Sequence, residues 1–389
     1  MFITEEMRRN RSYSHTATHF SPIAPERIGT DPRTAKQVET GALVQENGDV
    51  IFRMYAPEAQ SITVDIAAHG IRVTLERKED GIWEGVFPYR FSGPKATEWR
   101  VDGAYVLHPY APLYFSYGRT VNYVDIPDPE MEYVMIRDVP HGSVTYEYFY
   151  SRATENFESC LVYTPPGYEA GTEKYPILYL QHGHGEGETS WIFNGKVNFI
   201  LDNLIAEGRC RPFIVVMNDG MIRTREDGNQ MFGSFHGFTR MLLEDCMPFI
   251  ESKYRVLGDK WNRAMAGLSM GSMQTSIIGL SHPELFGWLG LFSGFMCAIG
   301  RGRTVEAQPH LNACLDPEQL CKDYKLFFRG IGEEDNLKKF FDEDDAFCRE
   351  CHITPEEIPI HIRKIYPGIH DWNVWRRCIY DFAQLIFRD

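Results

Sequence analysis

A chain of 389 residues, 43% apolar and 13% aromatic, has room for two or three domains with their own cores and is not composed like a disordered protein. Its formal net charge of −14 argues against nucleic acid and against an anionic membrane surface, since both ask for clustered Lys and Arg. No uninterrupted apolar run of about eighteen residues occurs, so no membrane span is expected.

The opening MFITEEMRRNRSYSHTATHF lacks the apolar stretch of a secretory leader. Nine cysteines, an odd number, are scattered through helix-like and strand-like segments. Together these features predict reduced thiols and a cytoplasmic location. Residues 1–40 are polar and aperiodic and read as an N-terminal arm. From Gly41 the pattern becomes all-β, with strands expected over 50–55, 61–66 and 83–87 and N-G, H-G and D-G turn pairs between them. Short strands at such spacing predict a β-sandwich over 41–130, which the stiff Pro127-Asp128-Pro129 closes. A linker is expected over 131–143.

The catalytic domain is expected over 144–389. It opens with a hairpin, 145–151 and 158–164. Apolar strands follow at 177–180, 213–217, 264–266, 289–292, 325–328 and 360–365, interleaved with helices over 197–207, 238–254 and 273–280. Strands buried on both faces and alternating with helices predict an α/β fold built on a doubly wound, mostly parallel sheet. The segment FFDEDDAFCRECHIT reads as one acidic helix whose run 342–345 faces solvent. Its Cys348-Arg349-Glu350-Cys351-His352 matches a haem-attachment pattern by coincidence, with no second ligand pair nearby. No cofactor and no metal are expected, and the pair His182 and His184 lacks a third ligand.

Gly267-Leu268-Ser269-Met270-Gly271 sits between a predicted strand and a predicted helix. Small residues on either side of the serine allow a sharp turn that lifts its side chain above the sheet, where the helix N-terminus favours negative charge. A serine hydroxyl needs a base held by an acid. Downstream, Glu333-Glu334-Asp335 follows one strand and His370 another, both in loops beyond strand carboxyl ends. His370 is the expected base. Asp335, the shortest of the three carboxylates, is the expected acid. The oxyanion hole is expected from the backbone N–H of Met270 and of His184, the latter in the loop 181–187 after the strand at 177–180. Gly183, Trp191 and Trp372 are taken as substrate contacts, and Trp375 as packing in the final helix. Trp99, Tyr105 and Tyr110 offer flat rings to a sugar.

Two resemblances add to this reading. Phe52-Arg53-Met54-Tyr55-Ala56-Pro57, Asp80-Gly81-Ile82-Trp83, Val101-Asp102-Gly103 and His108-Pro109 resemble immunoglobulin-like early-set domains related to carbohydrate-binding module family 48. The run Tyr175 to Gly183, with Glu188-Thr189-Ser190-Trp191, Ala266 to Gly271, Phe292-Ser293-Gly294, Gly332 to Asp335 and Gly368 to Trp375, resembles the esterase D and carbohydrate esterase family 1 group, with feruloyl esterases nearest. That resemblance implies an α/β-hydrolase with Ser269, Asp335 and His370 as its triad. Ser272 and His184 depart from the group's usual glycine and glycine-or-apolar residues.

The expected function is a serine carboxylester hydrolase acting on hydroxycinnamoyl esters of plant-cell-wall oligosaccharides through an acyl-enzyme. Rival readings are an acetyl xylan esterase, a siderophore trilactone esterase and a non-catalytic carbohydrate-binding protein. The expected partner is thus a small-molecule or oligosaccharide ester, and the sequence leaves the oligomeric state open.

Overall fold

The computed structural model describes residues 3–10, 40–66, 69–88, 91–116, 118–222, 235–296 and 304–388. Most of the expected arm, 1–40, lies outside them; within it Glu5–Arg9 is a short helix capped by Thr4. The chain divides into two compact units, Met1–Arg137 and Asp138–Asp389. Among the described residues no helix is long and apolar enough to cross a membrane, and the eight cysteines are free thiols.

The first unit is an immunoglobulin-like sandwich of two antiparallel sheets. One orders Gly41–Val44, Val50–Tyr55, Ile82–Phe87 and Glu76–Arg77. The other orders Ile71–Thr74, Ile62–Ile66, Gly93–Val101, Arg119–Ile126 and Leu113–Ser116, with Ala104–Val106 paired to Gly93–Val101. Strand alternation turns Val50, Phe52 and Met54 inward on one sheet and Ile62, Val64 and Ile66 inward on the other. Phe52 meets Trp99 edge-on, ring centres 5.6 Å apart. Trp99 is therefore a core residue of the sandwich and not a sugar platform. Tyr105 is exposed, with the Arg100 guanidinium over its ring.

The second unit holds eight strands: β1 (Ser143–Ser151), β2 (Asn156–Thr164), β3 (Ile177–Gln181), β4 (Ile214–Asn218), β5 (Arg263–Leu268), β6 (Trp288–Phe292), β7 (Leu326–Gly332) and β8 (His361–Tyr366). Their order in the sheet is β1-β2-β4-β3-β5-β6-β7-β8. Only the β1–β2 and β2–β4 pairings are antiparallel. The helices used below are α1 (Val197–Ala206), α2 (Met270–Ser281), α3 (Lys338–Glu350) and α4 (Trp372–Ala383). Every residue of β3, β4 and β6 is buried, which is why their sequences read as unbroken apolar runs. One face packs Val162, Tyr179, Val216 and Met265 against Phe238, Met241, Cys246 and Ile278. On α4, Phe382 meets the rings of Phe292 and Phe328. At the β1 edge Tyr148, Tyr150 and Phe157 stay exposed.

Two expectations change in detail. The helix expected over 238–254 is Phe235–Arg240, a π-helical turn Met241–Cys246 and Met247–Lys253. Pro248 follows the widened turn; it has no N–H to give, and its ring crowds the carbonyl four residues back. The acidic run 342–345 is only partly a solvated face. Asp344 is fully buried and accepts the Met296 N–H at 2.6 Å. Asp345 takes Arg329 Nη1 at 2.9 Å and Arg363 Nη2 at 2.7 Å. Burial works against charge on the Asp345 carboxyl, but Arg363 and Arg329 hold it below the usual carboxylate range.

Arg329 is fully buried on β7, so its guanidinium depends on these acids. Asp345→Ala is expected to cost about 3–5 kcal/mol in urea unfolding, because it takes from a buried cation its nearer carboxylate and leaves only Asp344 at 3.9 Å. Asp342→Ala, at an exposed ion pair with Lys338, should cost no more than about 1 kcal/mol.

Candidate active site

Ser269 joins β5 to α2 with φ 51° and ψ −115°. The turn closes only around small residues. A Cβ at Gly267 would stand 2.4 Å from Gly271 O, and one at Gly271 would stand 2.6 Å from His182 O. Ser269 N–H donates to Phe292 O at 2.9 Å, tying the elbow to the end of β6. Ser272, the departure from the usual glycine, is buried and donates from Oγ to Ser269 O at 2.7 Å.

The elbow brings Ser269 to the two residues that the sequence paired with it. His370 Nε2 lies 3.0 Å from Ser269 Oγ. His370 Nδ1 lies 3.0 and 2.9 Å from the two oxygens of Asp335. A carboxylate facing Nδ1 keeps the proton there, so Nε2 presents its lone pair to the hydroxyl. The Asp335 side chain is fully buried and also accepts Leu337 N–H at 2.8 Å, whereas Glu333 and Glu334 are exposed. Their amides still matter: Glu333 N–H donates to Tyr366 O and Glu334 N–H to Gly368 O, lacing the acid loop to the histidine loop. Asp371 then caps α4 by accepting from Asn373 and Val374 N–H, starting that helix immediately after His370.

Met270 is the first residue of α2, and the leading N–H groups of a helix have no acceptor within it. The loop after β3 approaches from the other side: a Cβ on Gly183 would stand 3.4 Å from Ser269 Cβ. His184 follows and is exposed. It is the second position of a turn in which Glu186 N–H donates to Gly183 O at 3.3 Å, with Gly185 at φ 77°.

Two residues of this loop have roles the sequence did not reveal. His182 is buried, with Nδ1 2.7 Å from Gly183 O and Nε2 accepting Gly220 N–H at 2.8 Å. Burial opposes charge on that ring and Asp219 favours it, the balance lying upward. Nε2 also lies 3.4 Å from Asp219 Oδ1, so the ring ties the loop after β3 to the loop after β4. Glu186 is buried as well; Oε2 accepts Gly183 N–H at 3.2 Å and Oε1 accepts Trp372 Nε1–H at 2.9 Å. A glutamate in a Gly-rich loop gives no periodic signal of burial, so only the fold exposes it.

The tryptophans require a correction. Trp191 and Trp372 were expected to touch substrate, but both are buried. Trp191 donates to Gln181 O at 2.9 Å and meets Trp372 edge-on at 5.1 Å. Trp372 meets Trp375, and Trp375 meets His370, each with centres 5.1 Å apart. Three indoles therefore form a packed support for the histidine, since large apolar rings gain more from mutual burial than from lining a wet cleft.

Residues 151–382 match the Esterase family. The chain belongs to that family. It is 34% identical over 358 residues to an endo-1,4-beta-xylanase/feruloyl esterase of Xylanibacter ruminicola, covering 89% of this chain and 46% of that protein. It is 30% identical over 172 residues to endo-1,4-beta-xylanase Y of Acetivibrio thermocellus, covering 41% of this chain and 15% of that one. The chain thus spans less than half the length of these two relatives. Among solved structures, a CE1 ferulic acid esterase from Anaeromyces mucronatus aligns with a TM-score of 0.54 and 23% identity, over 66% of this chain and 95% of that one. The enterobactin esterase FES from Shigella flexneri aligns with a TM-score of 0.66 and 16% identity, over 90% and 97%. These two likenesses concern the fold.

The elbow gives a stability test. Ser269→Gly should unfold at higher urea than Ser269→Ala, by about 1 kcal/mol, because only glycine adopts the turn without strain. Gly271→Ala should lose about 1–3 kcal/mol of stability, because the added methyl meets backbone carbonyls that cannot step aside.

Proposed function

We propose that the chain is a serine esterase that releases hydroxycinnamic acids, ferulic acid above all, from xylan-derived oligosaccharides. The observation that carries the chemistry is the continuous line from Asp335 through His370 to Ser269, with both imidazole nitrogens at hydrogen-bonding distance. The xylanase/feruloyl esterase relative supports the choice of substrate.

In this reading His370 Nε2 takes the Ser269 proton as Oγ attacks the ester carbonyl carbon. The carbonyl oxygen becomes an oxyanion held by the N–H groups of Met270 and His184, each donor contributing about 2.7–4 kcal/mol of barrier lowering. The tetrahedral intermediate collapses to an acyl-enzyme, and the departing sugar alkoxide takes the proton from His370. Water then gives a proton to Nε2 as it attacks the acyl carbon, and collapse of the second intermediate returns that proton from Nε2 to Ser269 Oγ, leaving the acid and free Ser269. Asp335 keeps the ring oriented and favours its cationic form. We read the N-terminal sandwich as a family-48-like module on the resemblance carried by Phe52 to Pro57 and Asp80 to Trp83.

A second reading, cleavage of a cyclic siderophore trilactone, is favoured by the fold likeness to the enterobactin esterase over 90% of the chain. Hydrolysis of methyl ferulate and a feruloylated xylo-oligosaccharide, set against acetylated xylan and a catecholate trilactone, separates the readings. We expect kcat/KM for the feruloyl esters to lead by about a hundredfold. Preference for the trilactone or the acetate would replace this assignment. Ser269→Ala should lower kcat by about 10⁴-fold or more and abolish the acyl-enzyme burst with a nitrophenyl ester.

A further inference from the structure

Glu186 stands between two segments that the proposed chemistry needs in register. Its Oε2 accepts the N–H of Gly183, the residue before His184. Its Oε1 accepts the indole N–H of Trp372, two residues after His370. The side chain thus closes a ring with the turn it belongs to, in which its own N–H donates to Gly183 O.

We propose that Glu186 is a positioning residue which, as a carboxylate, fastens the oxyanion loop to the segment carrying His370. This rests on the serine-esterase reading above.

Two N–H donors converge on its two oxygens, an arrangement that only the ionised form satisfies completely. A proton on either oxygen would set O–H against N–H and release one of the two segments. Burial favours that proton and raises the Glu186 carboxyl above its ordinary range, while His182, the Gly183 amide, the Trp372 indole and His370 oppose the rise. The titratable groups facing it are thus the imidazoles of His182 and His370. The glutamate acts through one peptide amide and one indole and touches no reacting atom, so its effect belongs in the rate of the chemical steps and not in ground-state affinity.

Glu186→Gln tests this, because its amide must turn an NH₂ toward one of the two donors. With methyl ferulate it should lower kcat about 10–100-fold and leave KM within about threefold. The acid limb of log kcat/KM should be shallower in Glu186→Gln than in the unaltered enzyme, because the glutamine has no carboxylate to protonate. Trp372→Phe leaves a smaller aromatic ring and removes one donor; should the glutamine variant not fold, a several-fold fall in kcat at unchanged KM in this variant carries the test. A kcat within twofold of the unaltered enzyme, with the same acid limb, overturns the proposal. Ser269→Ala measured alongside separates the two levels: an active Ser269→Ala removes the serine-esterase reading, whereas an inert one beside a fully active Glu186→Gln removes only the role of Glu186.

Discussion

The positive φ at Ser269 is the constraint on which the arrangement turns. A residue with a Cβ held in that region stores on the order of 1–3 kcal/mol, and the strain survives because the surroundings fix it from several sides. Gly267 and Gly271 let the two arms of the elbow touch, the end of β6 takes the Ser269 N–H, and Ser272 takes its carbonyl. The hydroxyl is thereby presented above the sheet edge at the start of a helix. Relaxing the elbow would swing the hydroxyl away from the imidazole.

Around that point the protein spends buried polar groups, which are expensive unless satisfied, on holding loops. Asp335, His182 and Glu186 are each buried, and each bonds a ring nitrogen or a backbone amide of a neighbouring segment. The loops after β3, β4, β5, β7 and β8 are therefore linked by directional bonds where apolar packing would allow sliding. The edge-to-face indoles of Trp191, Trp372 and Trp375 supply the dry floor on which such bonds gain strength.

Much of this was legible in the residues. The unbroken apolar runs predicted a sheet covered on both faces, and the order of serine, acid and histidine along the chain pointed to the loops that meet. Asp335 was singled out from three adjacent carboxylates on side-chain length, and it is the one that faces the imidazole. What escaped was set by three-dimensional neighbours. Trp191 and Trp372 look the same in sequence whether they line a cleft or pave its underside. Asp344 reads as a surface charge until Met296, 48 positions away, turns out to need its oxygen. Glu186 shows nothing in a glycine-rich string until Gly183 and Trp372 are seen to share it. The helix start at Met270, three residues earlier than the apolar pattern placed it, follows from the elbow and not from periodicity.

The strand order separates two ways in which the molecule can deteriorate. Ser269, Asp335 and His370 hang from β5, β7 and β8, whereas the far margin ends in the β1–β2 ribbon, whose Tyr148, Tyr150 and Phe157 are exposed beside a strand edge that no other described strand pairs. An open edge decorated with aromatic rings invites self-association. Precipitation can therefore begin at one border of the sheet while the elbow at the other keeps its geometry, so an intact fold around Ser269 is no measure of colloidal health for this protein.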